Sequence, residues 1–232
     1  MGEIFIKDKE IAVPGQILAE GMDYLPAGGA FREGEKIIAS QVGLVNVHNR
    51  LVKLIPLNGR YVPKENDVVI GQIKDINIMN WFIDIGYAND AALTLKEATD
   101  EYIDRGADLT QYFNFGEYIV TRIIHVSKLK NIDLTMKGPG LRKLTEGRII
   151  KITPAKVPRV IGKQGSMISL IKEATGCKII VGQNGLIWIA GENPQSEMLA
   201  EEVIKLIEAK SHISGLTEQV KAFLDKKVSN NV

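Results

Sequence analysis

The sequence predicts a multidomain protein of the β plus α/β class: a small N-terminal β domain, a five-stranded β-barrel, and an α/β domain ending in helices. Three observations predict it. At 232 residues the chain is longer than one ordinary domain. Residues 1–62 read as short β-rich runs with turn punctuation and no long helical period, and 63–137 give five more strand-like runs. From residue 147 onward, apolar residues at helical spacing take over between shorter strand-like runs.

The N-terminal β domain is expected over 1–62. IIASQVGLV and RLVKLIPL are β-rich runs around His48-Asn49, with Pro14-Gly15, Gly28-Gly29 and Asn58-Gly59 as breaks. KENDVVIG opens a second unit over 63–137. Its runs VVIGQIKDI, NWFIDIGY, DAALTL, EYIVTRIIHV and NIDLTM give five strands, with a long acidic insertion between the third and fourth. That order fits an OB-type barrel. Strand alternation places Trp81, Ile83 and Ile85 inside it, and Phe82 and Asp84 outside. Residues 138–146, rich in glycine and carrying Pro139, read as a linker.

The last unit, 147–232, begins with the strand GRIIKITPA and a short helix VPRVIG. After a glycine break, SMISLIKEAT is an amphipathic helix with Met167, Ile168 and Ile171 on one face. CKIIVG and LIWIAG form a hairpin around Gln183-Asn184-Gly185. Asn193 is an N-cap and Pro194 the first residue of the helix SEMLAEEVIKLIEAK. A final helix, TEQVKAFLDKKV, follows Gly215 with Thr217 as its cap.

Composition narrows the function classes. No apolar run approaches the ~20 residues of a membrane span, and MGEIFIKDKE lacks a signal peptide's apolar stretch, so a cytoplasmic protein without a membrane partner is expected. Cys177 is the single cysteine, which rules out an internal disulfide. His48, His125 and His212 lie far apart without metal-ligand spacing, and Asp100, Glu101 and Asp104 sit in a polar insertion that reads as a solvated loop. No metal site, cofactor or catalytic constellation is expected. The net charge is only +1, but residues 141–190 carry nine lysines and arginines against Glu146 and Glu173. Residues 96–117 carry six acids against Lys96 and Arg105. One region is therefore suited to a polyanion and another is not.

The residues that carry chemistry are Gly162-Lys163-Gln164-Gly165. Two glycines three apart interrupt a helical pattern in which glycine costs about 1 kcal/mol against alanine. Such a turn between two helices presents free N–H groups at a helix start. Glycine also lets a sugar-phosphate chain approach the backbone without a Cβ in the way. Arg159, Lys163 and Lys156 add positive charge, while Val160, Ile161 and Ile168 are expected to floor a groove for bases. With its apolar flanks and its order of elements, VIGKQGSMI resembles the KH domain in its eukaryotic-type arrangement, whose GXXG loop clamps single-stranded nucleic acid. The resemblance implies RNA contacts from Arg159, Ile161, Gly162, Lys163, Gln164, Gly165 and Lys156. Residues 63–137 look like an S1 domain, an RNA-binding OB barrel. Phe82 is its candidate stacking platform, and Lys74 and Arg122 are candidate phosphate contacts. The aromatic-glycine pair usual before its second strand is here Met79-Asn80, and Thr94 stands where a surface histidine is common.

A β domain, an S1 domain and one KH domain in this order resemble the exosome's RNA-binding cap subunits of the ribosomal RNA processing protein 4 family, in archaeal form. IAVPGQILAEG, VKLIPLNGRYVPKENDVVIG, NWFIDIG and KVPRVIGKQGSMI followed by IVGQNGLIWI carry the likeness. The resemblance implies a non-catalytic subunit. Three copies would cap a hexameric ring of RNase PH-like subunits, mixed in some assemblies with the zinc-ribbon cap subunit. The N-terminal domain would dock on the ring, and the cap would steer the 3′ end of single-stranded RNA to degradation or processing. The alternative is a free-standing S1/KH RNA-binding factor in transcription or translation.

Overall fold

The computed structural model describes residues 2–101, 104, 106–211, 213 and 215–229. Arg105 and His212 lie outside the described residues. The chain forms two compact units, Met1–Gly59 and Arg60–Val232. Among the described residues no helix is long and apolar enough to cross a membrane.

The first unit contains eight short strands: β1 (Glu3–Ile4), β2 (Ile11–Ala12), β3 (Ile17–Glu20), β4 (Leu25–Ala27), β5 (Ala30–Glu33), β6 (Lys36–Ala39), β7 (Gly43–His48) and β8 (Leu51–Pro56). They form two four-stranded sheets, β1-β3-β6-β5 and β2-β7-β8-β4. Both enclose one core that includes Leu18, Ala19, Ile37, Val52 and Leu54. The run IIASQVGLV is two strands rather than one, because residues 40–42 break it. Strand alternation buries Val52 and Leu54 and turns Leu51 and Ile55 outward. Ile11, Leu44 and Ile55 stand opposite one another across β2, β7 and β8. They make an apolar row on the outer face, with Ile11 57% and Ile55 45% exposed.

In the second unit, β9 (Val68–Ile76), β10 (Asn80–Asp84), β11 (Ala91–Thr94), β12 (Tyr118–Val126) and β13 (Ile132–Thr135) are the five expected barrel strands. They run β13-β11-β10-β9-β12, and the β12–β13 pairing closes the barrel. A single turn, α1 (Leu95–Ala98), follows β11. Trp81, Ile83 and Ile85 are fully buried inside, as alternation requires. The Trp81 indole N–H donates to the Phe113 carbonyl at 3.0 Å, so the acidic insertion supplies the partner that a buried tryptophan needs. Burial first, and then the hydrogen bond to Asp67, push the Tyr61 hydroxyl well above its usual range. Thr121 is fully buried, and among the described residues its hydroxyl finds no partner. Thr121→Val keeps the shape and removes the unpaired group. It is expected to raise the unfolding free energy by about 1 kcal/mol, read from the midpoint of a urea transition.

The segment 138–146 is not a plain linker: β14 (Arg142–Leu144) pairs with β12, Tyr118 opposite Leu144. Its burial drives this, because Leu144 packs with Ile70, Val120 and Trp188. The remaining elements are β15 (Arg148–Lys151), α2 (Val157–Ile161), α3 (Ser166–Thr175), β16 (Lys178–Val181), β17 (Leu186–Ala190), α4 (Pro194–Ala209) and α5 (Leu216–Ser229). The sheet β15-β17-β16 turns Ile187 and Ile189 toward a core with α2, α3, α4 and α5. Its alternate residues, Ile149, Ile180 and Trp188, pack on the barrel's outer face. Asn193 holds the N-cap place of α4 without a side-chain cap bond. Thr217 lies inside the first turn of α5 rather than capping it.

The β16–β17 hairpin couples the two halves of this unit. Asn184 is buried, and its amide donates to the Ile70 carbonyl at 2.7 Å and the Ile85 carbonyl at 2.9 Å. Its Oδ1 accepts from Ile70 N–H at 3.3 Å, and Gln183 N–H donates to the Val68 carbonyl at 2.8 Å. A turn residue thus satisfies backbone groups of β9 and of the loop after β10. The small α/β domain is held on the barrel by hydrogen bonds as well as by apolar contact.

Candidate nucleic-acid interface

Helix α2 ends because Gly162 adopts φ 76°, ψ 175°, a conformation essentially restricted to glycine. Gln164 (φ 54°, ψ 28°) and Gly165 (φ 81°, ψ 7°) are left-handed, so the chain reverses sharply before α3. A Cβ on Gly162 would lie 2.7 Å from both N and Cβ of Met167. At Gly165 the space is open, and only the positive φ requires glycine. Closure of the turn therefore accounts for Gly162, whereas Gly165 is part-exposed, its N–H donates to the Gly162 carbonyl at 3.3 Å, and the nearest atom to a Cβ there would be Ile168 Cγ2 at 4.0 Å. The first turn of α3 has no side-chain cap.

Around this turn the structure brings together most of the expected residues. Lys163 and Gln164 are exposed at its tip, and Arg159 is exposed in the last turn of α2. Neither Arg159 nor Lys163 has a side-chain ion pair or hydrogen bond among the described residues. Ile161 and Ile168 are half-buried against the core on the two sides of the turn. Two expectations are corrected. Val160 is fully buried, so Ile161 and Ile168 alone remain as an apolar floor. Lys156 is engaged elsewhere: its Nζ donates to the Glu208 carbonyl at 3.0 Å, at the end of α4, where a cation is favoured by the helix dipole.

Other basic residues are also occupied. Arg148 pairs with Glu201 at 2.7 Å and Lys143 with Glu117 at 2.7 Å. Hydrogen bonds from Lys205 and then Arg148 hold the Glu201 carboxyl below the usual glutamate range. Its contribution to stability is present above the ordinary glutamate pKa and is lost as pH falls through the lowered folded value. Arg142 lies over the Trp188 ring, 5.4 Å from its centroid. The free positive charge of this unit is thus concentrated at fewer places than the sequence count implies.

On the barrel, Phe82 is half-buried on the outer face, opposite Asp75 and Ala92. Lys74 forms an exposed ion pair with Asp90 at 3.1 Å. Such a pair is weak enough to exchange for a phosphate. Arg122 stands opposite Val68, at the other end of β9 from Asp75. The rise of a strand puts it roughly 20 Å from Phe82. Phe82 and Lys74 therefore lie close together on the barrel, and Arg122 stands apart from them. The GQNG stretch reads from sequence as a structural hairpin turn, and what sequence reasoning missed is the partners of Asn184, the backbone of Ile70 and Ile85.

Three family profiles match successive parts of the chain. Residues 9–58 match the family profile described as the exosome RNA binding protein RRP4 N-terminal domain, residues 60–104 that of the RRP4 S1 domain, and residues 147–195 that of the KH domain. The exosome complex component Rrp4 of Pyrococcus furiosus is 44% identical over 231 residues, covering 98% of this chain and 87% of its own. That of Methanothermus fervidus is 40% identical over 226 residues, covering 97% and 99%. A crystal structure assigned as an exosome complex RNA-binding protein superposes with a TM-score of 0.69 at 35% identity. The match covers 75% of this chain and all of that one. With this identity over nearly the whole of both chains, the protein belongs to the Rrp4 family of exosome RNA-binding components.

Proposed function

We propose that this protein is a cap subunit that captures single-stranded RNA at the Gly162–Gly165 turn and passes its 3′ end to a degrading or processing ring of RNase PH-like subunits. The observation that carries the reading is the outward-facing turn with its two unpaired cations, Arg159 and Lys163, on a domain pinned to the barrel by Asn184. The strand would lie against bare backbone at Gly165, with bases over Ile161 and Ile168. Gln164 would contact the passing strand, and Phe82 and Lys74 would hold a further stretch of it. No catalytic step is assigned to the chain. S1 and KH domains are binding modules, and the ring would perform the chemistry.

In this reading the first unit is the docking element, and the apolar row Ile11, Leu44 and Ile55 suits burial against a partner. Three copies on one ring would multiply weak contacts into useful affinity, which fits a net charge of only +1. The zinc-ribbon cap subunit would be able to share these positions.

Mixing the protein with an assembled ring and weighing the complex by native mass spectrometry tests the assembly. The expected result is three bound copies. A monomer that ignores the ring would favour a free-standing RNA-binding factor instead. For RNA, Lys163→Asp with Gln164→Asp is expected to weaken binding of a single-stranded oligonucleotide about tenfold, the effect of reversing charge at a phosphate contact. The thermal midpoint should stay unchanged because both side chains are exposed.

A further inference from the structure

The turn at Gly162–Gly165 has a second neighbour: the start of the C-terminal helix α5. Between them lies an open cleft of about 320 Å³. Among the described residues, Arg159, Gly162, Lys163 and Ser166 line one side, and Thr217 and Glu218 the other. Buried Met167 and Leu216 form part of its floor. Two cations unpaired among the described residues and two exposed hydroxyls, Ser166 and Thr217, thus line a cleft whose volume suits a phosphate and its sugar. One carboxylate opposes them. Glu218 is turned back over its own helix start, with Oε2 3.1 Å from the place of a Cβ on Gly215.

Resting on the RNA-binding reading above, we propose that α5 completes the RNA site by forming the far wall of a ribose-phosphate subsite. The GKQG turn supplies charge and bare backbone from one side, and Thr217 supplies a hydroxyl from the other. Glu218 limits the affinity by opposing the phosphate, which keeps the strand able to slide. The core of the domain does not depend on this wall's polar residues. Leu216, Val220 and Leu224 carry the packing of α5, while Thr217 and Glu218 are exposed.

The test uses the full chain, a fluorescent single-stranded oligoadenylate and inorganic phosphate as separate probes. Glu218→Gln is expected to tighten oligonucleotide binding about threefold, and Thr217→Glu to weaken it about threefold, the size of one solvent-exposed charge contact. Circular dichroism melts should leave both variants folded at the parent midpoint. If neither variant moves the oligonucleotide affinity while Lys163→Asp with Gln164→Asp still lowers it, the subsite is wrong and the GKQG reading stands. If none of the variants moves it, both fail. Saturation by inorganic phosphate that is lost in Thr217→Glu, with RNA binding unmoved, would overturn the RNA assignment in favour of a free-phosphate site.

Discussion

Asn184→Ala is expected to lower the unfolding free energy by about 2–4 kcal/mol, because removing a side chain that satisfies buried backbone groups leaves them unpaired. Three hydrogen bonds are lost at once, two to the carbonyls of Ile70 and Ile85 and one from Ile70 N–H. Asn184→Asp should be nearly as damaging, since a carboxylate has no donor for the two carbonyls it would face. Gln183→Ala is the control: its contact to Val68 is made by the backbone, so a change within about 0.5 kcal/mol is expected. Chemical denaturation of the full chain checks all three. An unchanged midpoint for Asn184→Ala would mean that the two halves of the second unit are held without the Asn184 side chain, by apolar contact and the Gln183–Val68 backbone bond.

The second large effect separates the two glycines of the turn. Gly162→Ala forces a Cβ to 2.7 Å from the Met167 backbone nitrogen in a region of φ and ψ that alanine avoids. A loss of about 3 kcal/mol is expected from the combined clash and strain. Gly165→Ala meets open space and pays only for a left-handed φ, about 1 kcal/mol. The order reverses for RNA. Gly165 presents the bare backbone, so Gly165→Ala should weaken oligonucleotide binding severalfold while the protein stays folded. Equal destabilisation by the two substitutions in thermal melts would contradict the geometry described for the turn.

Those two glycines also mark what a sequence can and cannot reveal. The turn itself is legible because a lysine-glutamine pair flanked by glycines cannot continue the apolar helical pattern on either side of it. The barrel strands are legible because period-2 alternation around Trp81, Ile83 and Ile85 is a local signal. The reason for Gly162 is not legible, since its constraint comes from the next helix rather than from a ligand. Lys156 is misread from sequence because its partner, the Glu208 carbonyl, is 52 residues away. Asn184 reads locally as a turn residue, and its contacts to Ile70 and Ile85 span 114 and 99 residues. Strand β14 is hidden by its glycine-rich surroundings, because Ile70, Val120 and Trp188, brought in from elsewhere, make Leu144 worth burying. Val160 and Ile161 are adjacent in a helix of five residues, too short for periodicity to decide which faces inward. Residue type alone groups Arg122 with Phe82, and only the strand register separates them.

The claim on which the account rests is that RNA lies across the Gly162–Gly165 turn in the intact protein. Crosslinking a thiouridine-containing single strand to the full chain, alone and on the ring, and mapping the modified peptides tests it most directly. Crosslinks within 157–172 in both states are the expected result, accompanied by a second set near Phe82. Crosslinks confined to the barrel, with 157–172 unmodified in both states, would contradict it.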